Sequence, residues 1–264
     1  MGSATRGALA DTRAALAELG RADLQVAEDL LAVGRVVGSS SQLRSALVDA
    51  EADAAQKRAL VESVFGGRIS PDAVKLVIAA ASRRWSSGDD FVAGLEDLGY
   101  RAAAESAPEG LDIDAELFAF ERAVASDAEL ELALGSKLSP LPSKLALVDR
   151  LLSGKASPQT VAIVRHLVEQ PRGRRIGESL RHAASVIADQ RGFDVATITT
   201  AVPLTEQQLE RLAQGLVAQA GRRVRFDTIV DPAVLGGVRV QIGDDVIDGS
   251  VASRLSELRQ KLAG

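Results

Sequence analysis

The chain of 264 residues contains no cysteine, which excludes disulfide bonds and cysteine-ligated metals and fits a cytoplasmic protein. Aromatic residues make up only 3% of the sequence, so the 46% hydrophobic content comes mostly from alanine, leucine and valine. Alanine and leucine are strong helix formers. The composition therefore predicts a mainly helical protein that is long enough for two or three domains.

A strong excess of charge and a long apolar run are also missing. The net charge of −5 argues against nucleic acid or an anionic membrane surface as the main partner. No apolar run approaches the roughly 20 residues that span a bilayer, and the N-terminus lacks the apolar core of a signal peptide. We therefore expect a soluble chain that is a monomer when isolated.

Residues that could carry catalysis are few. The two histidines, His166 and His182, fit no metal-binding spacing, and we expect them to be exposed or to cap helices. Ser250 lies in no nucleophile motif and is predicted to cap a helix. Asp244, Asp245 and Asp248 lack the remaining ligands of a calcium loop, and no phosphate-binding glycine loop occurs. The sequence therefore predicts no catalytic, cofactor-binding or metal-binding residue.

Two basic segments, Arg83-Arg84-Trp85 and Arg172-Gly173-Arg174-Arg175, lie between predicted helices. A nucleic-acid site would be broader and would carry interleaved aromatic residues. We interpret both segments as solvated helix connections, with docking against an acidic helix of a partner as the alternative. Trp85 is predicted to belong to the core.

The sequence repeats itself at an offset of 87 residues. Residues 24–80 align without gaps on residues 111–167, and 18 of the 57 positions are identical. Each copy reads as a series of short amphipathic helices, and in each a Ser-Pro pair, Ser70-Pro71 or Ser157-Pro158, is predicted to start a helix after a glycine terminator. Two small homologous bundles are the predicted result.

The segment 91–107 aligns with residues 4–20 at the same offset, so it would be the last helix of the first copy and the first helix of the second. We therefore predict a first bundle over residues 1–106 and a second over residues 88–190, which share the 91–107 helix. A C-terminal domain over residues 191–264 would follow the helix terminator Gly192.

The C-terminal domain is predicted to be a small α+β module of order β-α-β-β-β-α. Alternation of apolar and polar residues from Phe193 and from Val224 indicates two strands, and Thr205 with Gln208 forms a capping box for the helix between them. Val238, Val240 and Ile242 alternate with polar residues in a third strand. A short fourth strand and a C-terminal helix come next.

This last stretch carries an ordered series of residues: an Asp-Pro, a Gly-Gly, an Ile-Gly-Asp and a Val-Ile-Asp-Gly-Ser-Val, with Arg-Leu after it. Its residues are Asp231, Pro232, Gly236, Gly237, Ile242, Gly243, Asp244, Val246, Ile247, Asp248, Gly249, Ser250, Val251, Arg254 and Leu255. The series resembles the C-terminal signature of the ATP synthase delta subunit family, which includes the mitochondrial oligomycin sensitivity-conferring protein. We call it the signature below.

The resemblance implies a fold and a function. Delta subunits have one six-helix N-terminal bundle and a smaller α/β domain, a layout that residues 88–264 cover alone, so the first copy is an addition typical of actinobacterial versions. The family's role implies a non-catalytic stator without cofactors, at the cytoplasmic face of a bacterial membrane. A bundle, in our interpretation the second, would hold the N-terminal helix of an alpha subunit, and the C-terminal domain would hold the end of the b subunit. A helical scaffold unrelated to ATP synthase, or an enzyme that binds a nucleotide in its α/β domain, are the alternatives.

Overall fold

The computed structural model describes residues 2–136, 138–220, 223–231, 234, 236–242 and 245–249, with the backbone alone at residues 206 and 217–220. The chain divides into two compact units that meet between Ile187 and Ala188. Within the described residues the first unit is helical and the second contains a four-stranded mixed sheet. This confirms the predicted class, a mainly α protein with a small α+β C-terminal part.

Helix boundaries in the first unit repeat at the offset found in the sequence. The first copy comprises α1 (Ser3–Glu18), α2 (Leu24–Ser39), α3 (Ser41–Val48), α4 (Ala54–Phe65), α5 (Pro71–Ala81) and α6 (Gly88–Ser106). It is followed by α7 (Ile113–Ala125), α8 (Ala128–Gly135), α9 (Leu141–Leu152), α10 (Pro158–Glu169) and α11 (Ile176–Gln190). Shifted by 87 residues, α3 and α4 coincide with α8 and α9, and α1 falls within α6.

The Ser-Pro start of α5 and α10 and the glycine that follows α4 and α9 are the same in both copies, as predicted. Ser70 Oγ accepts a hydrogen bond from the Ala73 N–H, and Pro71 occupies the first turn; Ser157 and Pro158 repeat this arrangement at α10. Gly67 and Gly154, which follow α4 and α9, have φ of +72° and +67°, a left-handed conformation that favours glycine.

The cores of the two copies also match position by position. Five pairs of identical residues are buried in both copies: Leu30 and Leu117, Val37 and Val124, Leu47 and Leu134, Val61 and Val148, and Val77 and Val164. Matching helix bounds and matching cores support our proposal that the first unit arose by duplication.

A further shared device was not predicted. The carboxylate of Asp29 on α2 accepts a hydrogen bond from the Ser70 N–H at 2.7 Å. In the second copy Glu116 on α7 accepts one from the Ser157 N–H at 3.0 Å and one from the Ser157 hydroxyl at 2.6 Å. A carboxylate at the start of a helix also interacts favourably with its dipole. The sequence comparison overlooked this pair because the aligned residues are Asp and Glu, which do not count as an identity.

The helix α6 contacts helices of both copies: α1, α2, α3 and α5 of the first, and α10 of the second. It begins at Gly88, slightly earlier than the predicted segment 91–107, because the Ser87 hydroxyl caps its first turn by accepting from the Asp90 N–H. Nearly all of its central residues are buried. These contacts support our proposal of a helix shared by two bundles.

The second unit contains β1 (Phe193–Thr200), α12 (Glu206–Ala220), β2 (Arg223–Val230), β3 (Val238–Ile242) and β4 (Asp245–Asp248). The sheet order is β2-β1-β3-β4, with β1 parallel to β2 and the other pairs antiparallel. Ala196, Ile198, Leu216 and Val240 form its buried core. The capping box of α12 is present, since the Thr205 N–H donates to Gln208 and the Gln208 N–H to Thr205. The predicted order β-α-β-β-β is confirmed, and the predicted last helix lies outside the described residues.

Candidate functional site

An apolar groove opens on the second copy between α7, α8 and α9. It has a volume of about 560 Å³. Its residues are Asp112, Ala115, Glu116, Ala119, Phe120, Ala123, Leu130, Leu151, Leu152, Lys155 and Ala156. Ala115, Ala119 and Ala123 follow one another at intervals of four, so they lie on one face of α7. Such small side chains on one wall and leucines on the other leave room for an amphipathic helix from another protein.

Large apolar side chains are also exposed on α8, on α9 and between them, outside the lining of the groove, and one of them, Leu141, lines a separate pocket with Val36 and Pro171. Leu132 on α8 is 72% exposed, Leu138 in the α8–α9 connection is 95% exposed, and Leu141 at the start of α9 is 42% exposed. The equivalent residues of the first copy are Ser45, Glu51 and Ala54. Large exposed apolar side chains are typical of interaction surfaces. We call the groove together with these three leucines the apolar surface.

A buried carboxylate, Glu96 on α6, forms the second notable site. Its Oε2 lies 2.7 Å from Arg172 Nη1 and 3.4 Å from Arg174 Nη2, and its Oε1 lies 3.4 Å from His166 Nε2. The Glu96 side chain is 3% exposed. Burial acts to raise the pKa of the Glu96 carboxyl, but its contacts with His166 and Arg172 outweigh this and hold that pKa below its usual range. The carboxylate is therefore charged and paired at neutral pH.

The same cluster reaches α2 through His166. Arg35 Nη1 lies 3.1 Å from His166 Nδ1, and Arg35 Nε lies 2.9 Å from Glu169 Oε2. A guanidinium group has no acceptor, so Nδ1 must accept and, in the neutral ring, the proton is carried on Nε2, which faces Glu96. We call Arg35, Glu96, His166, Glu169, Arg172 and Arg174 the junction cluster.

Two expectations from the sequence are wrong here. The sequence predicts that His166 is exposed or caps a helix, but it is fully buried, whereas His182 is exposed as expected. Solvated connections are confirmed for Arg83, Arg84 and Arg175, which are exposed, but not for Arg172 and Arg174, which are partly covered and bind the buried Glu96 carboxylate of the same chain. Arg172 also has φ of +49°, a conformation that costs a non-glycine residue about 1–2 kcal/mol. Trp85 is buried, as predicted, and donates from Nε1 to the Ala80 carbonyl.

The described part of the signature shapes the sheet. Gly236 and Gly237 have φ of +71° and +83°, which explains the glycine pair. The Asp231 N–H donates to the Thr200 carbonyl at 2.8 Å, and the Gly249 N–H donates to the Val238 carbonyl at 2.9 Å. Ile242 ends β3, and Val246, Ile247 and Asp248 lie on β4. Pro232, Gly243, Asp244, Ser250, Val251, Arg254 and Leu255 lie outside the described residues. A functional role for the signature stays a prediction.

Within the part of the chain that the structure describes, no three histidine, aspartate or glutamate side chains are grouped so that they could hold a metal ion. In the same residues, no helix combines the length and the apolar character that crossing a bilayer requires. Neither the apolar surface nor the junction cluster was found from the sequence. The signal that could have revealed the apolar surface was the change from Ser45 and Glu51 to Leu132 and Leu138 between copies.

Comparison with known proteins gives consistent matches. The family model "ATP synthase delta (OSCP) subunit" matches residues 100–262, which span the second copy and the C-terminal unit. ATP synthase subunit delta of Leifsonia xyli is 56% identical over the full length of both chains. Those of Kineococcus radiotolerans (42%, over 90% of this chain and 87% of that one) and Streptomyces griseus (38%, over the full length of both) are also similar. The chain therefore belongs to the ATP synthase delta (OSCP) subunit family, as the signature indicated, and to its long actinobacterial form, a non-catalytic stator component.

Proposed function

We propose that this chain joins the catalytic head of an ATP synthase to its peripheral stalk. The second copy holds the N-terminal helix of an alpha subunit, and the C-terminal unit holds the end of the b subunit. The chain is a monomer when isolated, binds no cofactor, and is attached to the cytoplasmic face of the membrane only through the complex. A link of this kind stops the head from turning with the rotor.

The apolar surface carries the assignment of the alpha-subunit helix to the second copy. The family model covers this copy from residue 100 and leaves residues 1–99 unmatched. The helix α2 of the first copy contacts both α6 and α10, so it covers part of these two helices of the second copy. The groove between α7, α8 and α9 is open, and its alanine and leucine walls suit the apolar face of a helix.

The sheet supports the assignment of the b subunit to the C-terminal unit. Its edge strand β4 exposes Val246 and Ile247, at 46% and 49%, between the acidic residues Asp245 and Asp248. The other edge strand, β2, exposes Val230. Successive side chains of a strand point to opposite faces, so Val246 and Ile247 place one exposed apolar side chain on each face of the sheet at its edge, where a helix end can pack.

Isothermal titration of the full chain with a peptide of the alpha-subunit N-terminal helix, and separately with a fragment from the C-terminal end of the b subunit, tests the proposal. We expect saturable binding of both. The substitution Ala119→Arg places a charge in the groove and should abolish binding of the alpha peptide while binding of the b fragment persists. Ile247→Asp should have the opposite effect.

Ala146→Arg is the matched control, because Ala146 is exposed on α9 and does not line the groove. It should leave both affinities unchanged. Failure of the wild-type chain to bind either partner would contradict the stator function proposed here and favour an unrelated scaffold. Alpha-peptide binding that survives Ala119→Arg would refute the groove.

A further inference from the structure

We propose that the junction cluster is a latch that fixes the second copy against the first, so that the two copies move as one rigid arm. The latch would act in the same way whichever partners the chain binds. The charged groups of the cluster come from α2, α6, α10 and the segment after α10, the central carboxylate is buried, and the first copy has different residues at most of the equivalent positions.

Glu96 is placed at the point where both copies meet. It is buried on α6, the helix that contacts α1, α2, α3 and α5 of the first copy and α10 of the second, and α2 and α10 also contact each other. The approach of α2 to α6 is close, because a Cβ at Gly99 would lie 2.6 Å from Leu31 Cδ2. Packing therefore fixes α2 to α6, whereas the position of the segment after α10 depends on what binds Glu96.

Arg172 holds that segment at two points of α6. Nη1 lies 2.7 Å from the Glu96 carboxylate, and Nη2 donates to the Asp89 carbonyl at 2.8 Å. Asp89 lies in the first turn of α6 and Glu96 two turns later, so one side chain spans the N-terminal half of the helix. The left-handed backbone at Arg172 is consistent with a segment held by these contacts rather than by its own preference.

Arg35 links the first copy to the second. From α2 it binds Glu169 and His166 on α10, and His166 faces Glu96 on α6. The contacts therefore run from α2 through α10 to α6 and on to Arg172, with the step from His166 Nε2 to Glu96 Oε1 spanning 3.4 Å without hydrogen-bond geometry. Removing the central carboxylate would leave the guanidinium groups of Arg172 and Arg174, whose side chains are 20% and 34% exposed, without their counter-ion, which disfavours the closed arrangement.

Comparison with equivalent positions shows that this cluster is specific to the junction. Shifted back by 87 residues, Glu96 corresponds to Leu9, His166 to Ala79, and Arg172 to Trp85. Leu9 and Trp85 are buried apolar residues of the first copy. Glu96 and Arg172 therefore stand where the first copy has buried apolar residues, whereas Arg35 aligns with an identical residue, Arg122.

Distance measurement between the copies tests the latch, and the absence of cysteine makes labelling selective. Ala59→Cys on α4 and Ala146→Cys on α9 are equivalent exposed positions for two spin labels. In the full chain, double electron–electron resonance should give one narrow distance distribution. With Glu96→Gln added, we expect the width to increase at least twofold while the circular dichroism of the helices is retained.

Asp72→Asn is the control, because it removes an acidic partner of exposed Lys75 away from the junction and should leave the distribution narrow. Arg35→Met breaks the α2 side of the cluster and provides an independent variant if Glu96→Gln does not fold. A narrow, unshifted distribution in folded Glu96→Gln, or in Arg35→Met where Glu96→Gln is unfolded, would overturn the latch.

Discussion

The two copies share most of their core and differ at their surfaces and at the buried junction between them. Leu30 and Leu117 occupy the same buried position, and Asp29 and Glu116 both bind the backbone at the start of the equivalent helices α5 and α10. By contrast, Ser45 corresponds to exposed Leu132, and Leu9 to the charged Glu96. A duplicated bundle can thus keep the residues that fold it while its outer face and its junction acquire other tasks.

Truncation of equivalent core leucines should have the largest effect on stability, and it tests whether the two cores are equivalent. Leu30→Ala and Leu117→Ala each remove a side chain that is 0% exposed, so each should lower the free energy of unfolding by about 2–5 kcal/mol. Guanidinium unfolding, followed by circular dichroism, measures the change. If one variant lost less than about 1 kcal/mol, the two cores would not be equivalent in spite of their matching positions.

The carboxylates that bind the backbone at the start of α5 and α10, Asp29 and Glu116, should contribute different amounts to the free energy of unfolding. Glu116→Ala removes the acceptor for the Ser157 N–H, the Ser157 hydroxyl and Thr160, whereas Asp29→Ala removes the acceptor for the Ser70 N–H and Gln25. A hydrogen bond to a charged group contributes about 1.5–3 kcal/mol. We expect Glu116→Ala to be the more destabilising in the same unfolding assay. A larger loss for Asp29→Ala would show that burial, not the number of bonds, determines the cap's contribution.

Equivalent glycines should respond to alanine with opposite signs. At Gly94 a Cβ would lie 2.6 Å from Trp85 Cζ3, and this indole is held by its bond to Ala80 and by Phe91, so Gly94→Ala should cost about 1–3 kcal/mol. Gly7, aligned with Gly94, has open space around the added Cβ. Gly7→Ala should therefore stabilise α1 by up to about 1 kcal/mol. Thermal unfolding distinguishes the two, and equal shifts would refute the packing difference.

Local signals explain which parts of the fold were predictable. Ser70-Pro71, Gly67 and the Thr205–Gln208 box act within a few residues of themselves, so their structure can be read from the sequence. The alternation of Val238, Val240 and Ile242 predicted β3 for the same reason. Each of these features could be predicted without information about distant parts of the chain.

The junction cluster could not be read in this way because its members are far apart in sequence. Glu96 lies more than 70 residues before Arg172, and a single acid within a helix gives no indication that it is buried. His166 looks like a surface residue of an amphipathic helix until α2 and α6 cover it. The sequence does not show whether a basic connection is solvated or binds a buried carboxylate, because its composition is the same in both cases. The contacts of Arg172 and Arg174 with Glu96 were therefore not predicted.

Substitution of Leu132 should have the smallest effect on stability, and it tests whether the exposed leucines of the second copy contact the alpha-subunit peptide. Leu132→Ser installs the residue found at the equivalent Ser45, and because Leu132 is 72% exposed the free energy of unfolding should change by less than about 0.5 kcal/mol. Binding of the alpha-subunit peptide should nevertheless weaken by about 1 kcal/mol, roughly fivefold, if the leucine is covered in the complex. The reverse exchange, Ser45→Leu, should change neither quantity, since the first copy does not carry the apolar surface. Titration of both variants with the same peptide decides the point: equal affinities for Leu132→Ser and wild type would mean that the exposed leucines of the second copy serve another partner.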